Sequence, residues 1–169
     1  EDLAFRFMQP VQYQQIAKQL QEKRGLRERY IEKAIRMIRQ SVTQAGIEAD
    51  VAGRPKHIYS IWRKMQRKAV DFDELYDIRA VRVLVDDVGA CYSVLGLVHQ
   101  LWTPIPGEFD DYIAQPKSNN YQSLHTAVVG PEGLGRLNRP EAGAVESALH
   151  PAAVARLLDR VGDRRRGDH

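Results

Sequence analysis

The stretch Ile78-Arg79-Ala80-Val81-Arg82-Val83-Leu84-Val85-Asp86-Asp87 decides how this chain folds. Its valine-rich run is short and β-branched, so it reads as a buried strand rather than a helix. The two aspartates that follow cap a helix through Val88, Cys91, Leu95 and Val98, because a carboxylate there accepts an unpaired N–H of the first turn. The same alternation of strand and helix recurs upstream. Ile47-Glu48-Ala49-Asp50-Val51 alternates as a strand leading to Gly53. A helix follows Pro55, whose fixed φ and missing N–H suit a first turn, with Ile58, Ile61, Trp62 and Met65 as its apolar stripe.

Further out, Pro10 opens a helix with Val11, Tyr13, Ile16, Ala17 and Leu20 on one face, and Gly25 breaks it. A second helix carries Leu26, Tyr30, Ile31, Ala34, Ile35 and Ile38 and ends before Gly46. Downstream, Pro104-Ile105-Pro106-Gly107 reads as a loop and Tyr112-Ile113 as a short apolar stretch. Residues 123–129 read as another strand, closed by a turn at Gly130-Pro131-Glu132-Gly133. The expectation is an α+β domain, a mixed sheet flanked by helices behind an N-terminal helical lead-in.

The chain has 169 residues, 25 Lys plus Arg against 22 Asp plus Glu, a net charge of +3 and one cysteine. That length suits one domain. A single Cys91 excludes a disulfide framework and a thiolate metal cluster. No apolar run approaches the roughly 20 residues of a membrane span, and no signal-peptide pattern opens the chain. A cytoplasmic protein with no membrane partner is therefore expected. A start on Glu1 rather than Met reads as a piece of something longer.

The net charge says little, but its placement says more. Residues 51–70 contain no acid, yet hold Arg54, Lys56, Arg63, Lys64, Arg67, Lys68 and His57. Such a run attracts phosphate, in a nucleotide or a nucleic acid. Lys56, Ser60 and Lys64 are spaced by four, on a face away from the apolar stripe. Arg54 and Lys56 lie at the helix start, where N–H groups and the dipole also favour anions. The arrangement makes a polyphosphate cradle without the glycine spacing of a Walker loop.

Asp77, at the entry of the valine-rich strand, suits a magnesium ligand. Arg82 within that strand, like Arg79 beside it, needs an anion or a partner if buried. Glu108, Asp110 and Asp111 form an acidic cluster, which fits a metal site or a solvated loop. Lys117, Asn119, Asn120, Tyr121, Gln122 and His125 fall within nine residues. Together they offer a ring for stacking, amides for reading base edges and cations for phosphate. Residues 134–169 differ in kind. They hold seven arginines, six alanines and four glycines, with no lysine, isoleucine or aromatic residue.

Four ordered stretches carry a resemblance: residues 53–65 (GRPKHIYSIWRKM), 72–82 (FDELYDIRAVR), 108–114 (EFDDYIA) and 116–126 (PKSNNYQSLHT). They resemble the synthetase domain of long RelA/SpoT-family proteins, and residues 1–44 resemble the helical segment before it. The resemblance implies a nucleotidyltransferase-like mixed sheet and transfer of pyrophosphate from ATP to the 3′-hydroxyl of GDP or GTP, giving (p)ppGpp and AMP. It implies that Arg54 and Arg82 flank adenine, and that Lys56, Ser60 and Lys64 hold the ATP phosphates. It places Mg2+ on Asp77, with Asp77, Arg54 and Lys56 as the catalytic set. Tyr121 is implied to stack on guanine, with Lys117, Asn119, Gln122 and His125 around the acceptor. The Glu108-Phe109-Asp110-Asp111 form resembles the acidic variant of synthesis-only members and suggests a GDP preference. Ribosome or tRNA contacts are expected only through domains absent from this chain.

Two departures from the family pattern stand out. Asn120 replaces a glycine before Tyr121, a mild change because Asn tolerates positive φ. After the Gly-Pro-x-Gly turn the family continues with a strand of the form Val-Glu-Ile-Gln-Ile-Arg-Thr, whose glutamate helps bind metal and activate the 3′-hydroxyl. Residues 134–169 read as matching none of it. Glu132, Glu141 and Glu146 read as acids outside any alternating strand. The expected division is thus 1–45 lead-in, 46–133 core lacking its final strand, and 134–169 an atypical tail foreign to the family. Restoring the family's strand and helix is expected to raise stability and activity. Two alternatives to a synthetase are a catalytically impaired nucleotide-binding relative and a basic RNA- or ribosome-binding module using residues 51–70.

Overall fold

The computed structural model describes residues 1–75, 78–118, 122–134, 140–149 and 151. Three helices lead: α1 (Asp2–Met8), α2 (Pro10–Glu22) and α3 (Arg24–Gln44). There follow β1 (Asp50–Gly53), α4 (Ile58–Lys68), a single 3-10 turn at Phe72–Glu74, β2 (Ala80–Val85), α5 (Val88–Leu101), β3 (Pro104–Asp111), β4 (Ser123–Leu134) and β5 (Pro140–Leu149). Pro10 opens α2 as its composition predicts, and Asp87 caps α5 by accepting from the Ala90 N–H at 2.7 Å. The break between α2 and α3 falls at Lys23 rather than Gly25. Gly25 sits in the first turn of α3, where backbone N–H groups have no intrahelical partner to lose.

The strands form one mixed sheet in the order β1-β2-β5-β4-β3. β2 and β5 run parallel, and the other neighbours are antiparallel. Helices α3 and α5 cover one face. Ala34, Ile38 and Val42 of α3, and Cys91, Val94 and Val98 of α5, bury against Val81, Val83, Val85, Leu124, Val128, Val145 and Leu149. Because side chains alternate along a strand, the residues between these valines and leucines face the other side. A second cluster of Ile16, Ile61, Phe72 and Leu75 seals the apolar stripe of α4 against α2.

The sheet corrects three sequence expectations. The final strand is present: β5 occupies the middle of the sheet, so the core extends to Leu149 rather than stopping at residue 133. From Gly143 to Leu149 its residues are small or apolar apart from Glu146, as a strand covered on both faces requires, and such a run lacks the alternation that marks a half-exposed strand. With β5 in place, the expected gain from restoring a missing strand loses its premise. The proline-rich stretch at 104–107 belongs to β3, an edge strand, where a missing N–H costs no ladder bond. The stretch at 130–133 continues β4, with a register shift between Val129 and Leu134 in place of a closing turn.

Tyr30 of α3, 4% exposed, lies across the junction of β4 and β5. A Cβ at Gly130 would run into the Tyr30 hydroxyl and come within 2.8 Å of its Cε2. A Cβ at Gly143 would meet that hydroxyl at 2.7 Å and the Arg79 carbonyl at 2.8 Å. Gly130→Ala is expected to destabilise the fold by about 1–3 kcal/mol, the usual cost of overpacking. The urea midpoint measures it, and an unchanged midpoint would mean that the Tyr30 ring moves aside without cost.

Candidate active site

One row of side chains crosses the sheet on the face turned away from α3 and α5. Arg82 of β2 pairs in register with Glu146 of β5, Glu146 with His125 of β4, and His125 with Asp110 of β3. Residues paired in this way share a face. Glu146 is 3% exposed, and its Oε2 accepts from Arg54 Nη1 at 2.8 Å and Arg82 Nε at 3.1 Å. Its Oε1 has no hydrogen-bond partner among the described residues and lies 3.7 Å from His125 Nε2. Arg82 thereby has the partner that an arginine within a valine-rich strand requires. Arg79 precedes β2 and stacks its guanidinium 5.2 Å above the Tyr30 ring.

Arg54 is placed by its own backbone, whose N–H donates to Ala80 O at 2.8 Å and so continues the β1–β2 pairing. Lys56 lies in the segment before α4 rather than on the helix, because α4 begins at Ile58. Ser60, Arg63, Lys64 and Arg67 then share one helix face at spacings of three and four. These groups line a cleft of about 370 Å3 with Arg54, Lys56, Lys117, His125 and Glu146. Its described lining holds six Lys and Arg side chains against the carboxylates of Glu108, Asp110 and Glu146. A concave site with that surplus focuses field on polyanions.

The start of α4 departs from expectation. The Ile58 and Tyr59 N–H groups donate to the Asp2 carboxylate at 3.2 and 2.9 Å. The first turn of α4 contains no acid, so the capping charge comes from α1. Anions in the cleft are therefore met by side chains rather than by this helix end.

Strand alternation divides the acidic cluster. Asp110 lines the cleft, and Glu108 pairs with Lys68 at the end of α4. Asp111 instead accepts from the Ala114 N–H at 2.8 Å, the Ile113 N–H at 2.9 Å and the Tyr92 hydroxyl at 2.8 Å. The Ala114 N–H above all, with Tyr92 and Ile113, holds its carboxyl below the usual range. Asp111 thus shapes the turn after β3 and does not enter the cleft.

Tyr112, which the sequence reading treats as merely apolar, lines the cleft. Lys117 Nζ sits 3.9 Å above its ring, and its edge meets His125 at 5.3 Å between centroids. Burial first, then the nearby Asp110, pushes its hydroxyl pKa up. Gln122 is half-buried, its buried Oε1 has no partner among the described residues, and it is not among the cleft-lining residues. Asp77, Asn119 and Tyr121 lie outside the described residues. Among the described residues no group of three or more His, Cys, Asp or Glu could hold a metal. No described helix is long and apolar enough to cross a membrane.

Sequence reasoning passed over Glu146, Arg63, Arg67 and Tyr112 as site residues. For Glu146 a signal existed: Val145-Glu146 matches the opening of the family's Val-Glu-Ile-Gln-Ile-Arg-Thr strand, although Ser147, Ala148 and Leu149 diverge from it. For Arg63 and Arg67 the signal is their spacing of three and seven from Ser60.

A family model described as a region found in RelA / SpoT proteins matches residues 53–146. The chain is 54% identical over 133 residues to the GTP pyrophosphokinase of Photobacterium angustum, covering 79% of this chain and 18% of that protein. It is 53% identical over 133 residues to the GTP pyrophosphokinase of Escherichia coli strain K12, with the same coverage. The chain thus spans 18% of the length of these curated relatives. Among solved structures, small alarmone synthetase 1 from Bacillus subtilis bound to its product pppGpp is similar at a TM-score of 0.63 and 20% identity. That likeness covers 90% of this chain and 84% of the other, and it shows a shared fold.

Proposed function

The chain belongs to the family of RelA/SpoT proteins, and from that membership we propose that it is a (p)ppGpp synthetase domain, moving pyrophosphate from ATP to the 3′-hydroxyl of GDP or GTP. The observation that carries this reading is the buried carboxylate of Glu146 at the focus of a cationic cleft. Glu146 lies on the chain's last described strand, the element on which the family pattern carries its glutamate, and this supports synthesis over the impaired-relative reading. The RNA-binding reading fares no better, because Ile61 of the basic run is buried and Ile58, Trp62 and Met65 pack against the same core cluster.

In the transfer, the acceptor 3′-oxygen attacks the β-phosphorus of ATP, the bond from that phosphorus to the bridging α,β-oxygen breaks, and AMP leaves. Glu146 takes the proton of the 3′-hydroxyl. Ser60, Arg63, Lys64 and Arg67, with Lys56, neutralise the triphosphate and hold it in line. Arg54 and Arg82, both engaged on Glu146, are the pair that the resemblance has flanking adenine. Lys117, Tyr112 and His125 border the acceptor side of the cleft, and the resemblance stacks Tyr121 on guanine. Mg2+, when bound, draws off negative charge that builds on the phosphates. Asp77, three residues before β2 in sequence, would hold such a hard cation, which keeps few protein ligands, and this leaves Glu146 Oε1 to the proton.

The test is incubation of the chain with γ-labelled ATP, Mg2+ and GDP or GTP, followed by separation of the nucleotides. Labelled (p)ppGpp with stoichiometric AMP is expected, and chelation of the metal should stop it. Labelled phosphate without a labelled guanosine product would replace this reading with simple ATP hydrolysis.

A further inference from the structure

We propose that Asp2 is a positioning residue for ATP, setting the place of the phosphate-facing side chains by capping α4 from outside that helix. The proposal rests on the reading that α4 faces the ATP phosphates. Helix α4 enters from extended backbone at His57, and His57 supplies no side-chain cap of its own. The cap comes from a residue 56 positions earlier: Asp2 Oδ1 accepts from the Tyr59 N–H at 2.9 Å and Oδ2 from the Ile58 N–H at 3.2 Å. The His57 Nδ1 lies 3.5 Å from the same Oδ2.

Asp2 is itself held firmly. Three residues on, Phe5 is 3% exposed, with its ring 4.9 Å from Trp62 and 5.6 Å from Tyr59. Helix α1 therefore grips α4 at its first turn by charge and at its second by aromatic packing. The core stripe of Ile58, Ile61 and Met65 fixes a second side of α4, and the remaining side faces the cleft.

The consequence is graded along the helix. Ser60 follows the capped Tyr59 directly and depends most on the cap. Lys64 lies one turn further in and depends less. A capped helix end resists fraying, whereas an uncapped first turn loses its backbone geometry. Lys117, Tyr112 and His125, on the acceptor side, come from β4 and the segment after β3, which α1 does not support. Loss of the cap should thus weaken ATP selectively.

The experiment compares wild type with Asp2→Ala and Asp2→Asn, measuring KM for ATP, KM for GDP, kcat and thermal midpoint. Asp2→Ala is expected to raise KM for ATP about fivefold, the equivalent of a lost cap, with KM for GDP and kcat unchanged. Asp2→Asn, whose single amide oxygen can still accept from the Tyr59 N–H but not from the Ile58 N–H as well, is expected to recover part of the loss, with KM for ATP about two- to threefold above wild type. A lowered thermal midpoint in Asp2→Ala with KM for ATP unchanged would make the cap merely structural and overturn the proposal. Equal rises in both KM values would also overturn it. A wild-type chain that makes no labelled guanosine product would remove the synthetase reading itself, whereas an active wild type with an indifferent Asp2→Ala removes only the positioning role.

Discussion

Glu146→Gln is expected to reduce pyrophosphate transfer by about 10²–10⁴-fold while the protein stays folded. Glutamine keeps the volume and one carbonyl oxygen, so Arg54 Nη1 and Arg82 Nε retain an acceptor at the Oε2 position. What it loses is a carboxylate able to take a proton at Oε1, the atom with no hydrogen-bond partner among the described residues. Arg54 and Arg82 are each partly exposed and can recruit water when the charge is removed. The rate of labelled (p)ppGpp formation and the unfolding midpoint separate chemistry from stability. A glutamine variant that keeps most of the wild-type rate would take Glu146 out of the proton transfer.

Phe72→Ala is expected to cost about 3–5 kcal/mol, the range for truncating a buried aromatic side chain. Phe72 is 1% exposed and packs with Ile16, Ile61 and Leu75, with the Lys23 ammonium 5.8 Å from its ring centre. That cost is a large share of the roughly 5–15 kcal/mol by which such domains are stable. The cavity opens under Ile61, so α4 should loosen on its core side. Urea unfolding measures the change. Leu3→Ala is the contrast, expected within about 0.5 kcal/mol because Leu3 is 72% exposed. Equal losses in the two variants would mean that this second cluster contributes nothing particular to stability.

Much of the cleft was legible because the polar side chains of α4 obey a helical period. Ser60 and Lys64 recur at a spacing of four opposite an apolar stripe, and a helix allows one outcome for that pattern. Arg82 was legible for the opposite reason: a charge inside a valine run implies a partner. The partner was not legible. Glu146 comes from a strand of small residues whose side chains are covered on both faces, so nothing in its local pattern marks it as a strand. The acidic cluster misled in a related way. Adjacent carboxylates look equivalent in sequence, yet a strand sends Asp110 to the cleft and Asp111 toward Tyr92.

By itself the sequence determined the α+β class, the leading helices, the cationic side of α4 that lines the cleft and the family. All of these rest on short-range periodicity or on motifs read along the chain. The tertiary structure alone decided that β5 enters the centre of the sheet, that Arg54, Arg82 and His125 converge on Glu146, and that Asp2 caps a helix 56 residues away. Each of those joins residues far apart in sequence. Strand register and helix capping across such separations depend on which surfaces remain to be buried or hydrogen-bonded once the local elements have formed.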